Sequence, residues 1–200
     1  PPTMFGPKTS PIRIVDSAGV LEEMWLDTVV VPWNDVEMLE RAMETHGRDA
    51  ACVVTEGIMA NMGVILPKPG YLKRIEELCH QYGCLFYLDE TVTGFRVAPG
   101  GCAEIYGLKP DIVTYGKALG AGLPMAAITG PDHVMQGLEW GKVLHYGTHN
   151  AGRLTLSVTK TMLEVMLADD KANYRKLAHL GQKMADEIRR VSKGHNRHKL

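Results

Sequence analysis

Cys84-Leu85-Phe86-Tyr87-Leu88-Asp89-Glu90 decides the fold. Five apolar residues followed at once by two carboxylates read as a strand buried on both faces and ending abruptly. Just before it, Gly83 suits the left-handed exit of a helix over about 70–82, in which Leu72, Ile75, Leu78, Cys79 and Tyr82 repeat at helical spacing. Further upstream, Ala50-Ala51-Cys52-Val53-Val54 is a second short apolar run. It follows a helical pattern over 36–46, where Val36, Leu39, Ala42, Met43 and His46 share one face and Asn34-Asp35 offers a cap. Downstream come a short helix near 101–106 and a strand at Ile112-Val113-Thr114-Tyr115. A turn containing Gly116, Lys117, Gly120 and Gly122 leads to a fourth strand from Met125 to Thr129 and a helix around 131–139. Buried strands alternating with amphipathic helices predict an α/β domain, with a mainly parallel sheet and flanking helices.

The composition fits that expectation. Of 200 residues, 45% are apolar and 22% charged, and 22 basic residues against 23 acidic ones leave a net charge of −1. This balance gives no electrostatic ground for nucleic acid or an anionic membrane as a partner. No apolar run is long enough for a membrane-spanning helix, and the first residues lack a basic-then-apolar leader pattern. Cys52, Cys79, Cys84 and Cys102 form no CxxC pair, and the first three sit in apolar patterns, so they read as buried thiols in a reducing cytoplasm. Gly, at 21 residues, exceeds the usual ~7% without any period, which points to loops that approach something closely.

From about 151 the chain reads as helical. Tyr174, Leu177, Gly181, Met184, Ile188 and Val191 are spaced 3, 4, 3, 4, 3, which is a coiled-coil seam or, better for so short a run containing Gly, a helix packing on its own domain. The Pro- and Gly-rich start and the open tail from Lys193 to Leu200 read as the ends of a segment cut from a longer chain.

Two charged residues sit where strands end: Asp89, and Lys117 two residues past the third strand. In an open parallel sheet the carboxyl ends of the strands form the ligand crevice. The pair reads either as a structural ion pair or solvated loop charges, or as chemistry. The chemistry that uses such a pair is that of pyridoxal 5'-phosphate: a lysine forms a Schiff base with the cofactor aldehyde, and a carboxylate keeps the pyridine nitrogen protonated. Glycines around Lys117 permit a close backbone approach. A P-loop reading fails, since Asp111 and Ala118 stand where Gly and Ser/Thr are needed. Gly120-Ala121-Gly122 lacks the third glycine of a dinucleotide fingerprint. His145 and His149 have a helical zinc spacing, but Gly147 between them argues against a helix and no metal is expected. Glu56 reads as a functional acid or as one that holds a loop, and Arg96 as an anion contact or as a tie for the loop after Asp89.

Leu88-Asp89-Glu90-Thr91-Val92-Thr93-Gly94-Phe95-Arg96, Tyr106-Gly107-Leu108-Lys109-Pro110-Asp111 and Gly116-Lys117-Ala118-Leu119-Gly120-Ala121-Gly122-Leu123-Pro124, in that order, closely resemble the class III pyridoxal-phosphate-dependent aminotransferases. Pro32-Trp33-Asn34-Asp35, Glu56 and Asn61-Met62-Gly63-Val64 resemble its glutamate-1-semialdehyde aminomutase branch, and the likeness runs over about 20–190. It implies the large α/β/α domain of a fold type I aminotransferase over 31–168, after an irregular lead-in over 1–30. A helix over 169–200 would lead toward a small domain outside this sequence.

The resemblance also implies roles. Lys117 would carry the cofactor and shuttle the substrate proton, and Asp89 would pair with the pyridinium nitrogen. Thr91 would pack on one ring face, and Asn61 would lie near the phenolic oxygen. Thr148, after Gly147, would bind the phosphate across a homodimer with a shared active site. The alternative for Thr148, or equally for Asn150, is capping of the helix beginning near Ala151. The sequence departs from the family at Gly57, where a proline is usual, at Thr91, where a valine is usual, and at Gly152-Arg153, where Asn-Pro is frequent. The implied activity is amino transfer between a small-molecule donor and a carbonyl acceptor. An aminomutase, a racemase or epimerase, and an inactive fragment or pseudoenzyme subunit are the alternatives.

Overall fold

The computed structural model describes residues 17–138 and 142–194. Most of the irregular lead-in, residue 139 of the helix expected around 131–139, and the tail beyond Gly194 lie outside the described residues. Four strands, β1 (Cys52–Glu56), β2 (Leu85–Glu90), β3 (Ile112–Tyr115) and β4 (Ala127–Thr129), hydrogen-bond in the order β1-β2-β3-β4. The helices are α1 (Val36–His46), α2 (Tyr71–Tyr82), α3 (Gly101–Tyr106), α4 (Asp132–Met135) and α5 (Arg153–Gly194). This is the α/β fold expected. Strand β1 lies two residues later than its apolar run suggests, because pairing with β2 begins at Cys52↔Leu85 and carries on through the polar Thr55 and Glu56. Among the described residues no helix is long and apolar enough to cross a membrane.

The chain divides into two compact units. One runs to Asp89 and adds Leu108–Val113; the other holds Glu90–Gly107 and the chain from Thr114 onward.

In the first unit, β1 and β2 are parallel, α2 packs against β1, and α1 packs against α2. Asp35 caps α1, its Oδ1 accepting from the Met38 amide at 3.0 Å. Asn34, at φ +65°, instead staples the next loop: its Nδ2 donates to Leu66 O and its Oδ1 accepts from the Lys68 amide. Gly83 ends α2 at φ +77°, as its position predicts. Leu72, Ile75, Leu78, Cys79, Cys84, Phe86 and Leu88 form the core. Burying each large side chain contributes about 1.5–3 kcal/mol. Glu76, 2% exposed, accepts from the Lys73 ammonium and from the Lys109 amide. Two residues later Asp111 pairs with Phe86, so Lys109-Pro110-Asp111 starts β3 in its place. All four cysteines are free thiols, and all but Cys52 are fully buried.

In the second unit, α5 is broken at Ala168–Lys171, where Asp169, Asp170 and Lys171 all have positive φ. Short Asp side chains tolerate that conformation, and Arg175 secures it by donating to the carbonyls of Asp169 and Asp170. Of the seam spaced along α5, only Tyr174 packs; Leu177, Met184, Ile188 and Val191 are exposed. The expectation that this face packs on its own domain therefore holds for a single residue. The spacing marks an apolar stripe that, among the described residues, stays largely exposed.

Candidate active site

In the first unit the β1/β2 ladder closes on the pair Glu56↔Asp89, so two carboxylates end adjacent parallel strands in register. Glu56 turns back on its own chain: its Oε2 accepts from the Ala60 amide at 3.2 Å. That is the loop-holding reading. Asp89 is half-buried at the end of β2, where its strand leaves the core residues Phe86 and Leu88. Asn61 follows the residue that Glu56 holds and is exposed on the 3-10 turn Ala60–Met62.

In the second unit Lys117 opens the 3-10 turn Lys117–Gly120 just after β3. Its φ is +43°, and its side chain is exposed. A non-glycine residue in the left-handed region costs about 1–2 kcal/mol. Such strain persists where the surroundings over-determine it, and it clusters at functional positions. Gly116 precedes the lysine in extended conformation, so its φ of −162° does not require glycine. An added Cβ would stand 3.2 Å from Thr91 Cγ2, a contact the methyl would meet by giving a few tenths of an ångström. The structure thus sets the Thr91 methyl against the residue next to Lys117 and brings together two of the sequence-derived site positions. Gly147 and Thr148 lie in an exposed irregular segment, and nothing among the described contacts brings them to Lys117. Helix α5 begins at Arg153, so Thr148 stands five residues before its first turn and does not cap it. Asn150 folds its side chain back toward Gly147.

Arg96 Nε donates to Val92 O at 2.8 Å, which is the loop-tying reading. Beneath that loop lies a residue the sequence reading passed over. Glu90 is 0% exposed. Its carboxylate accepts from the Thr93 hydroxyl and, at 2.8 Å, from the Ala103 amide. Gly101, at φ +61°, lies so close that an added Cβ would stand 2.4 Å from Glu90 Oε2. Tyr115, the last residue of β3, packs its ring 5.1 Å from that of Phe95, and its phenol is pushed up first by burial and then by the Glu90 charge. The signals that point to Glu90 are the Gly100-Gly101 pair and Thr93 three residues on, which read as loop composition until the fold joins them. A shallow groove of about 410 Å³ lies between Ala121 and α5. No ionisable residue lines it, so it is not where this chemistry sits.

In the first unit a carboxylate stands at a strand end, and in the second an exposed, conformationally strained lysine follows a strand; strand ends are where α/β domains meet their ligands. The chain belongs to the class III aminotransferases, whose family model matches residues 19–199. It is 38% identical over 178 residues to a glutamate-1-semialdehyde 2,1-aminomutase of Anaeromyxobacter dehalogenans, covering 88% of this chain and 41% of that one. It is 37% identical over 194 residues to the enzyme of the same name from Symbiobacterium thermophilum, covering 95% and 44%. Among solved structures it resembles an omega-transaminase from Sphaerobacter thermophilus, with a TM-score of 0.85, 28% identity, and 92% of this chain and 42% of that chain covered. It also resembles the ornithine aminotransferase of Toxoplasma gondii, with a TM-score of 0.72, 34% identity, and coverage of 81% and 37%. The chain spans well under half the length of these relatives.

Proposed function

We propose that the protein containing this chain transfers an amino group with pyridoxal 5'-phosphate as cofactor. The observation that carries this reading is Lys117: an exposed amine on a residue of left-handed backbone, two positions past β3, in a chain of this family. The residues fit the cofactor, since an accessible primary amine can take an aldehyde and a strand-end carboxylate can hold a protonated ring nitrogen. When bound, the cofactor would supply an electron-withdrawing ring. Lys117 would anchor it and then move the proton at the substrate Cα. Asp89 would accept the pyridinium N–H and keep that ring cationic. The Thr91 methyl stands against Gly116, and Thr91 would pack on a ring face. Asn61 would orient the cofactor's phenolic oxygen.

The substrates are a small-molecule amino donor and a carbonyl acceptor. Intramolecular transfer within one substrate is favoured over exchange between two by the names of the 38%- and 37%-identical relatives. The cofactor domain would comprise 31–168, and the break at Ala168–Lys171 supports a change of role beyond it. A homodimer in which Gly147 and Thr148 reach the partner's cofactor phosphate is supported by the exposure of the segment from Lys142 to Asn150. The decisive experiment treats the cofactor-loaded full-length protein with borohydride and maps the reduced adduct by mass spectrometry. The adduct is expected on Lys117 and absent in Lys117→Ala; an adduct elsewhere, or none, overturns the reading. Supplying an amino aldehyde without any second substrate then separates mutase from transaminase, and racemisation of amino acids tests the remaining alternative.

A further inference from the structure

We propose that Tyr115 is a positioning residue for Lys117: clamped by the loop after β2, it forces the lysine into its left-handed conformation. The inference rests on the reading of Lys117 as the cofactor-bearing residue, but its geometry stands independently of the cofactor. The Lys117 side chain is exposed, so its own packing does not impose its φ of +43°. The constraint comes from the backbone on either side. On the C-terminal side the turn is closed by the bond from the Leu119 amide to Gly116 O at 3.0 Å, by burial of Leu119, and by Gly120. At Gly120 an added Cβ would stand 3.1 Å from the Met125 Cβ.

On the N-terminal side the constraint is Tyr115. Its Cδ1 would stand 2.4 Å from a Cβ at Gly94, so the ring lies flush on the Gly94 backbone. The Phe95 ring covers it at 5.1 Å and 52°, and the Thr129 side chain on β4 lies beside its hydroxyl. Three contacts from two segments leave the ring, and so the strand end, no freedom to rotate.

The clamp itself is anchored. Glu90 O accepts from the Gly94 amide at 2.8 Å, while the Glu90 carboxylate holds Thr93 and Ala103. Phe95, itself at φ +55°, gives its carbonyl to the Tyr174 hydroxyl at 3.1 Å. A bulky residue in that region is an outlier that something must hold in place. A continuous set of contacts therefore runs from Glu90 and Tyr174 through Gly94 and Phe95 to Tyr115. Two residues further along the chain is Lys117.

A double-mutant cycle on the apo full-length protein tests this. With Tyr115 intact, Lys117→Gly should melt about 1–2 °C above Lys117→Ala, because only glycine is at ease at that φ. In a Tyr115→Leu background the backbone relaxes and the difference should collapse toward zero. Should Tyr115→Leu not fold, Tyr115→Phe and Thr129→Val carry the same cycle through loss of the hydroxyl contact, with a smaller collapse. A glycine–alanine difference that persists in these backgrounds overturns the proposal, since a merely structural tyrosine lowers both melting points equally. On cofactor-loaded protein with Lys117 present, Tyr115→Leu should slow formation of the borohydride-trapped adduct about tenfold and shift the pH midpoint of the bound cofactor's visible band; Tyr115→Phe should restore most of the rate. An unchanged rate and midpoint would also overturn it. Failure of the wild type to form any adduct at Lys117 overturns the cofactor reading instead, and leaves the apo cycle to decide the geometry.

Discussion

Asp111 and Phe86 exchange two hydrogen bonds: the Asp111 amide donates to Phe86 O, and the Phe86 amide donates to Asp111 Oδ2, both at 2.8 Å. The side chain thereby completes a backbone ladder one residue before β3 begins, and fixes the start of the strand that ends at Tyr115. Because Phe86 is fully buried, removing the acceptor leaves an amide that water cannot reach. Asp111→Ala should therefore destabilise by about 1–3 kcal/mol, with Asp111→Asn costing clearly less. Urea midpoints of the three proteins check this, and equal midpoints for Ala and wild type would remove the role.

Gly101 has two reasons to be glycine, and both predict a cost. Its φ is +61°, and an alanine Cβ would stand 2.4 Å from the Glu90 carboxylate. Gly101→Ala should lose about 1–3 kcal/mol from backbone strain alone, with more from displacing Glu90. Pairing it with Glu90→Ala should recover part of the loss, by opening the space. A strictly additive pair in thermal melts would show that the steric conflict is not what costs stability.

Burial, and then the neighbouring Cys84, push the Cys79 thiol well above its ordinary value. The folded protein keeps a proton that the unfolded chain releases above pH about 8.5. The unfolded state then binds fewer protons, so stability falls as pH rises from that value toward the folded one, by up to about 1.4 kcal/mol per unit for one group. Stability measured by urea at pH 8 and pH 10 should fall more steeply in wild type than in Cys79→Ala, whatever the baseline cost of the cavity. The same burial predicts that native Cys79 resists alkylation.

If the active unit shares its sites across a dimer, Lys117→Ala and Thr148→Glu should each abolish turnover and complement each other when mixed. In mixed dimers one site carries both defects and the other carries neither, so about one site in two regains activity. No recovery under conditions of proven subunit exchange would show that Thr148 does not act across an interface.

The α/β class, α1, α3 and β3 could be read from periodicity and turn residues alone, as could Asp89 and Lys117 at strand ends. Those features depend on local spacing: burial on both faces makes a strand uniformly apolar, and a helix repeats every 3.6 residues. Family resemblance extended this to Thr91, Asn61, Gly147 and Thr148, and of these the structure sets Thr91 beside the residue next to Lys117. What spacing could not decide is which polar residues serve the chain itself. Glu56 holds Ala60, Arg96 holds Val92, Asp111 starts β3, and Glu90 is buried among donors from two later segments. The first two partners lie four residues away, on turns the periodicity does not specify. Those of Asp111 and Glu90 are 25 and 13 residues away and are chosen by tertiary packing, where an unpaired buried polar group would cost more than the bond contributes. The strain at Lys117 is of the same kind. The sequence placed a lysine in a turn, but its left-handed backbone appears only in the tertiary structure, between a Tyr115 ring pressed on Gly94 and a Gly120 pressed on Met125, and local spacing encodes neither contact.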